Sequence, residues 1–527
     1  MTPDHSAARR IAAGTLANVF GKGTVLLVGI VLAPIILHFV GATDLGIWLV
    51  VQSVGAFAFL LELGISAGLQ KYVAEHSARG ETDEAAQMVA AAKWLYALLG
   101  AFVAIAGLVL ALGLASLVDF HGRPGQVVPP LAAITAVDVG ITILALPPVT
   151  VLKGLQRFPL ANAITGGGAV MGALLAVAAL AAGLGIVGAA AAAALNSVLT
   201  YAASLVVTHR VIPAYMAAPI RRDRDRVRRL IRFSRSVGVV QVAVHMQTRL
   251  DAIVIAAALP VRLVTPYSFA QRLASGTEIA TDQFAKVLLP FATEVNATRE
   301  PGALKALYVT ATRLTLALAL GVGLPLALLG GPILNLWVGG AYSGYGPLVA
   351  ILVCAAIVDL LSYPAAALLQ SIERHGPIAW MALGTGVLNL GLSIAFVGPY
   401  GLEGVATATL LASAVEITLF VVPYAARVLD VSSREFASEV VLPLVLPGSV
   451  LAGLVIAGAA ILPVTSLVRL AVVVGVGITG YVFVYARLGA SSHERSVYRA
   501  ALSAVIGAGT RLRGRRARRA GRSSWEA

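Results

Sequence analysis

The chain has 527 residues, of which 12% are charged and 58% are hydrophobic. A soluble domain usually carries about 25% charged residues, so the composition excludes an ordinary globular enzyme, a disordered chain and a disulfide scaffold, and it indicates a polytopic membrane protein. The single cysteine, Cys354, lies inside an apolar run. It cannot form an intrachain disulfide, which argues against redox chemistry and against a cysteine-based metal site.

Long uncharged runs predict the membrane-spanning helices in chain order. The first run, 23–43, lacks the cleavage site of a signal peptide, so we expect it to remain as the first span. Glycine and proline mark the turns that divide the longer runs. With roughly 20 apolar residues per span, the sequence predicts an all-α polytopic membrane protein with about 14 transmembrane helices, at residues 20–41, 46–70, 90–118, 128–152, 159–182, 186–208, 233–258, 264–290, 306–334, 345–369, 377–397, 402–426, 440–462 and 467–487.

Basic residues cluster in segments that share one side of the membrane with the N-terminus. One group, Arg221–Arg229, lies in the middle loop, and another lies between Arg511 and Arg522 in the tail. Lys and Arg accumulate on the cytoplasmic side, so we expect both termini to be cytoplasmic, in a multi-pass protein of the inner (cytoplasmic) membrane. We interpret the net charge of +14 as a topology signal and a contact for anionic lipid headgroups, without a nucleic-acid partner.

Two short motifs recur at nearly the same separation. Leu152–Arg157 (LKGLQR) matches Leu369–Arg374 (LQSIER), and Gly185–Gly188 (GIVG) matches Gly401–Gly404 (GLEG). The recurrence indicates two copies of a six-helix unit, related by an axis along the membrane normal. The predicted organisation is two pseudo-symmetric six-helix lobes plus two C-terminal helices: an N-terminal lobe at 1–209, a basic cytoplasmic linker at 210–232, a C-terminal lobe at 233–428, two additional transmembrane helices at 438–489 and a basic cytoplasmic tail at 490–527.

Polar residues concentrate in the seventh and eighth spans, where they recur every three or four positions and so share one face of each helix. Polar groups in hydrocarbon are costly unless they face a cavity or a partner. We interpret the stripes as the wall of a water-filled lumen between the lobes; the alternative is a helix pair joined by buried polar contacts. The stripes consist of Gln241, His245 and Arg249 in the seventh span, and of Tyr267, Gln271, Ser275, Glu278, Asp282 and Lys286 in the eighth.

Several charged residues in these spans have two open interpretations. Glu278 and Asp282 are one turn apart, and neighbouring buried carboxylates resist ionising together, which makes them candidates for proton coupling. Neutralisation by Lys286 and Arg272 is an equal alternative. Asp251 lies away from the stripe of its helix and needs a different partner, or it lies near the outer interface.

The first two spans also carry charges. Lys22 either faces the lumen or extends to the cytoplasmic surface. Glu62 is expected to face the lumen, because spans 1, 2, 7 and 8 occupy equivalent places in the two copies. Asp138, Asp359 and Glu416, and alternatively Glu62, are candidates for hydrogen bonds that bridge helices.

Several motifs together resemble a known family. The sequence around Leu45–Trp48, Leu60–Ile65 and Lys71–Glu75, with Tyr267–Arg272, Leu336–Gly339 and Arg427–Asp430, is similar to polysaccharide flippases. These proteins belong to the multidrug/oligosaccharidyl-lipid/polysaccharide exporter superfamily. The resemblance covers about residues 10–489. Glu62 stands where many relatives carry Asp.

The resemblance implies a flippase that moves a polyprenyl-diphosphate-linked oligosaccharide from the cytoplasmic to the outer leaflet for surface polysaccharide biosynthesis. It implies alternating access without ATP hydrolysis, so no catalytic residue, cofactor or metal is expected. The expected partners are the lipid-linked oligosaccharide, membrane lipids, a polysaccharide polymerase and glycosyltransferases. The resulting assignments are diphosphate binding by Arg249, Arg272 and either Lys22 or Lys286, sugar contact by Gln241, Gln271 and Tyr267, and coupling or gating by Glu62, His245, Glu278 and Asp282.

Two other functions remain to be compared with this one. A cation-coupled multidrug exporter of the same superfamily would favour an aromatic pocket dominated by carboxylates, whereas only 6% of this chain is aromatic. A membrane glycosyltransferase or polymerase would need a catalytic carboxylate on a substantial loop. The predicted loops between spans are shorter than the roughly 50 residues of a small domain.

Overall fold

The computed structural model describes residues 5–62, 64–117, 123–298, 302–374 and 376–490. Within these ranges only the backbone is described for 5–20, 22, 114–117, 123–124, 235–248, 279–280, 282–287, 290 and 298. Every regular element in the described ranges is helical. The predicted all-α class is confirmed.

The first half of the chain forms a bundle of long helices, here called the N lobe. The longest helix, α1, contains a break at Gly41, whose φ of 76° and ψ of 174° are not helical. A 3-10 segment, Phe57–Glu62, leads into the next helix. The helices of the N lobe are α1 (His5–Ala56), α2 (Ile65–Ala78), α3 (Thr82–Leu117), α4 (Arg123–Leu144), α5 (Leu146–Gly154), α6 (Phe158–Ala181) and α7 (Gly185–Val211).

A short helix, α8 (Pro213–Ala217), lies between the two halves. The second bundle, here called the C lobe, then repeats the pattern, with a break at Gly401. Two further membrane helices follow it. The helices after α8 are α9 (Arg224–Ala258), α10 (Val264–Thr298), α11 (Ala303–Leu328), α12 (Gly330–Val338), α13 (Gly346–Asp359), α14 (Ser362–Ser371), α15 (Gly376–Val415), α16 (Val422–Leu429), α17 (Ser433–Phe436), α18 (Leu442–Ile461) and α19 (Leu467–Val484).

The helices provide the expected number of membrane crossings. Ten segments of the described chain are long and apolar enough to span a membrane. Two of them, Gly23–Glu62 and Gly376–Leu429, bend at Gly41 and Gly401 and so contain two spans each. With these two counted twice, and with the more polar helices α9 and α10 added, the total is the predicted fourteen. The protein is a multi-pass membrane protein.

The internal repeat is visible in the backbone. Gln156 and Glu373, which the motif alignment pairs, both have a φ of 58° although neither is glycine. The next residue in each copy closes the same turn, with Arg157 N–H donating to the Leu152 carbonyl and Arg374 N–H donating to Leu369, both at 2.8 Å. Equivalent sequence therefore produces the same left-handed turn in each lobe.

Each lobe also contains one partly buried aspartate beside a serine of another helix, and the helices are equivalent in the two lobes. Ser197 on α7 donates to Asp138 on α4 at 2.6 Å. In the C lobe, Ser413 on α15 lies beside the Asp359 carboxylate on α13. The predicted hydrogen bond between helices is confirmed for Asp138, whose carboxylate is thereby not left without a donor in an apolar bundle.

The lobes meet at the end of the bundle where α1 breaks, here called the Gly41 end. One continuous apolar core includes Ala33 and Ile36 of the N lobe together with Val264 and Leu334 of the C lobe. Thr265 Oγ1 donates to the Ala42 carbonyl at 2.7 Å across the boundary. The lobes are therefore closed against each other at this end.

Gly46 shows how close this contact is. A Cβ atom added to Gly46 would lie 2.4 Å from the Val261 carbonyl oxygen of the C lobe. Atoms that are not bonded do not approach so closely, so the absence of a side chain at residue 46 allows the two lobes to touch here.

Candidate functional site

A polar cavity lies where the two lobes face each other. It has a volume of about 400 Å³ and is bounded by α1 of the N lobe and by α9, α10, α13 and α15 of the C lobe. Its charged lining residues are Arg249, Arg272, Glu278 and Asp359. The uncharged polar residues that line it are Gln52, Ser53, Ser268, Gln271, Ser275, Thr385, Asn389, Thr409 and Ser413.

The two arginines give the cavity its cationic groups. Arg249 is exposed on α9, and Arg272 on α10 is partly buried. The two charges repel each other, and Arg272 Nη1 donates to the Gly29 carbonyl of the N lobe. A pair of neighbouring guanidinium groups is suited to a ligand with several anionic oxygens, because each guanidinium can donate two parallel hydrogen bonds.

The structure brings together four of the residues that the sequence assigns to the site. Arg249, Arg272, Gln271 and Glu278 all line the polar cavity. Five further predicted site residues have side chains that lie outside the described residues, so their roles stay predictions. These are Lys22, Gln241, His245, Asp282 and Lys286.

Tyr267 does not line the polar cavity. Its side chain is 1% exposed, and its hydroxyl donates to Asp251 Oδ2 at 2.6 Å. Tyr267 is near the start of α10, at the closed Gly41 end, where the stripe is covered by packing. The assignment of Tyr267 to sugar contact stays a prediction that its position does not favour.

Asp251 is placed inside the C lobe, where it has the partner that the sequence analysis requires. The residue is 2% exposed. Besides Tyr267, Thr409 Oγ1 lies 3.5 Å from its Oδ2, and Asn389 lies beside the carboxylate. A buried carboxylate needs such donors, because leaving it without them would be costly. Asn389 and Thr409 also line the polar cavity, so this network forms part of its wall.

Glu62 is occupied by contacts within the N lobe. Its carboxylate accepts the backbone N–H groups of Gly64 and Ser66 and the Tyr96 hydroxyl, the last at 2.7 Å. Glu62 is 9% exposed and does not line the polar cavity. With these three donors, the Glu62 carboxylate acts as a structural cap at the start of α2. Its predicted role in coupling is untested, and none of these contacts involves the C lobe.

The sequence analysis missed several residues of the cavity wall. Gln52 and Ser53 come from α1, and Thr385, Asn389, Thr409 and Ser413 come from α15. The last four form two pairs spaced by four residues within apolar runs, which is the spacing of one helix face. This period was available in the sequence, but each pair is too short to stand out as a stripe.

The helical fold, with a polar cavity between two repeated lobes, is that of a multi-pass membrane protein. A family model described as "Polysaccharide biosynthesis protein" matches residues 11–295, which is more than half of the chain. The chain belongs to this family. No curated protein has a significantly similar sequence.

Solved structures have the same fold at low sequence identity. The inward closed conformation of the lipid II flippase MurJ aligns with a TM-score of 0.68 and 14% identity, over 90% of this chain and 98% of that chain. An inward-facing multidrug resistance transporter of the MATE family aligns with a TM-score of 0.63 and 16% identity, over 79% and 94%. An outward-facing MATE transporter gives 0.59 and 15%, over 80% and 95%.

Proposed function

We propose that the protein is a flippase that moves a polyprenyl-diphosphate-linked oligosaccharide from the cytoplasmic to the outer leaflet of the inner membrane, by alternating access without ATP hydrolysis. The observation that carries the proposal is the pair Arg249 and Arg272 in a cavity otherwise lined by amides, hydroxyls and carboxylates. Membership of a polysaccharide biosynthesis family supports the substrate class.

The chemistry of the substrate fits the lining of the cavity. A diphosphate presents several anionic oxygens, which guanidinium groups bind in pairs. A sugar presents hydroxyls that both donate and accept, which suits Gln271, Asn389 and the nearby Ser and Thr hydroxyls. The isoprenoid chain is apolar and can stay in the bilayer while the polar head crosses.

We propose that the Gly41 end faces outward, in agreement with the predicted cytoplasmic N-terminus. The closed contact at Gly41 then makes this structure a state that is closed to the outside. Alternation requires the lobes to separate at the Gly41 end and to approach each other at the opposite end. Glu278 on the wall of the cavity, with Asp282 and His245, remains a candidate for coupling or gating.

A second candidate is a cation-coupled multidrug exporter of the same superfamily, because several structures with this fold are MATE transporters. The cavity contains two arginines and lacks a described aromatic side chain in its lining, which disfavours a cationic aromatic drug. A deletion strain with increased drug susceptibility and normal surface polysaccharide would favour the exporter.

The proposal is tested with Arg249→Ala and Arg272→Ala in cells that make the surface polysaccharide. We expect each substitution to reduce the polymer at least about tenfold and to accumulate the lipid-linked precursor, because loss of a charge-assisted contact costs about 1.5–3 kcal/mol. Arg262→Ala is the matched control, since Arg262 is exposed and outside the cavity. Normal polymer at equal expression of both cavity variants would contradict the proposal.

A further inference from the structure

Pro34 lies inside α1, at the Gly41 end of the N lobe. Proline has no backbone N–H, so it cannot donate to the carbonyl four residues earlier. The carbonyl in question belongs to Ile30. In an apolar bundle, a carbonyl without a donor is unfavourable, and another donor is needed.

The missing donor comes from the other lobe. Trp337 Nε1 on α12 donates to the Ile30 carbonyl at 2.8 Å. The indole is held in place by the C lobe, where its ring packs edge-on against Phe269 with centroids 5.4 Å apart. Phe269 in turn contacts Tyr342 at the same centroid distance. The donor is therefore fixed to the C lobe, and the acceptor is fixed to the N lobe.

We propose that Pro34 and Trp337 form a latch that stabilises closure of the lobes at the Gly41 end. Proline leaves the Ile30 carbonyl free in every conformation of α1, and the indole satisfies it only while the lobes touch. Separation of the lobes removes the indole N–H, so opening at this end loses a hydrogen bond that α1 cannot replace. The proposal rests on the proposed alternation of the lobes.

The hydrogen bond from Arg272 across the boundary differs from the Trp337 contact in one respect. Arg272 Nη1 donates to the Gly29 carbonyl, but the residue four positions on, Ala33, retains its backbone N–H. The Gly29 carbonyl therefore has a donor within α1 when the lobes separate. The Trp337 contact is different, because Pro34 leaves the Ile30 carbonyl without a donor in α1 when the lobes separate.

The latch predicts a non-additive pair of substitutions. Trp337→Phe keeps an aromatic ring against Phe269 but removes the donor, so opening no longer loses a bond. Pro34→Ala restores an N–H within α1, so the Ile30 carbonyl keeps a donor when the lobes separate. Each variant should therefore raise the population with separated lobes about 2- to 10-fold, the effect of one net hydrogen bond. The double variant should show no further rise.

Single-molecule FRET on the full chain in lipid nanodiscs, without substrate, measures this population. Dyes on Leu184→Cys and Tyr400→Cys, in a Cys354→Ser background, report on equivalent turns of the two lobes at the Gly41 end. These positions are 62% and 64% exposed. Trp380→Phe, at an exposed tryptophan, and Pro325→Ala, at a proline inside α11, are matched controls and should leave the distribution unchanged.

The latch is overturned if both single variants leave the population unchanged, or if their effects are additive in the double variant. If Trp337→Phe does not yield folded protein, Pro34→Ala alone decides by the same criterion. The measurement uses no substrate, so its failure is distinguishable from a failure of the flippase proposal, which the surface polysaccharide assay tests.

Discussion

Two cavities lie on either side of the same helices, and they differ in chemistry more than in size. The polar cavity has a volume of about 400 Å³, and a second cavity, lined by α1, α3, α4 and α9, has about 550 Å³. On α1, Gln52 faces the polar cavity and Val54 faces the second. The second cavity is lined almost entirely by apolar side chains, so it is here called the apolar cavity.

The comparison shows that volume alone does not identify a transport pathway. An apolar cavity in a membrane bundle fills with lipid chains, whereas a polar cavity must hold water or a polar ligand. The two cavities use the same helices, because successive residues of a helix point about 100° apart. A helix can therefore separate a wet region from a dry one within one turn.

The largest effect is expected from filling the polar cavity, and filling the apolar cavity serves as the comparison. Ala252 lines the polar cavity and Ala256, one turn later on α9, lines the apolar cavity. We expect Ala252→Phe to reduce surface polysaccharide at least about tenfold by occluding the substrate site, and Ala256→Phe to have little effect. Polymer measured at equal expression distinguishes the two. An equal loss in both variants would remove the functional distinction between the cavities.

A smaller effect is expected at the edge of the apolar cavity, where Glu62 follows the lining residue Leu61. Glu62→Gln weakens the contacts to the Gly64 and Ser66 N–H groups and to the Tyr96 hydroxyl. We expect it to lower the free energy of unfolding by about 1–3 kcal/mol. Thermal unfolding in detergent measures this loss, with Tyr96→Phe as the companion variant that removes one donor. Unchanged stability with lost transport would instead favour the predicted coupling role.

The smallest effect concerns the repeated aspartate–serine contact. Ser197→Ala removes the hydrogen bond to Asp138, and Ser413→Ala removes the hydroxyl beside Asp359. Each should cost about 0.5–1.5 kcal/mol of stability. Only Ser413 lines the polar cavity, so we expect only Ser413→Ala to change transport as well. Parallel measurement of unfolding and polymer in the two variants checks this. A transport defect in Ser197→Ala alone would contradict the assignment.

The sequence predicts the scaffold better than the site. Runs without charge locate the spans, and two recurring motifs locate the repeat, because both depend on local composition and turn geometry. Of the predicted stripe on α10, Gln271, Ser275 and Glu278 line the polar cavity, and so does the neighbouring Arg272. Periodicity does not show which part of a stripe is covered by the other lobe.

Two predicted site residues lie away from the polar cavity for the same physical reason. Tyr267 has the correct spacing, yet contacts between helices bury it against Asp251. Glu62 was expected to face the lumen, but Gly64 has a φ of 73°, and the turn directs the carboxylate to the start of α2. Isolated polar residues such as Asn389 and Thr409 lie on the two halves of α15, on either side of its break at Gly401. They reach Asp251 only through tertiary packing of α15 against α9, which no single helix pattern contains.

The most direct test compares the reactivity of two nearly adjacent positions on α1. In a Cys354→Ser background, Gln52→Cys and Val54→Cys are treated with a charged, membrane-impermeant thiol reagent in sealed cells. Both positions are exposed in the bundle, but modification requires a thiolate to attack the reagent, and a thiolate forms only in contact with water. The account predicts modification of Gln52→Cys in at least one conformational state and none of Val54→Cys. Equal or faster modification of Val54→Cys would contradict a hydrated passage on the Gln52 side of α1.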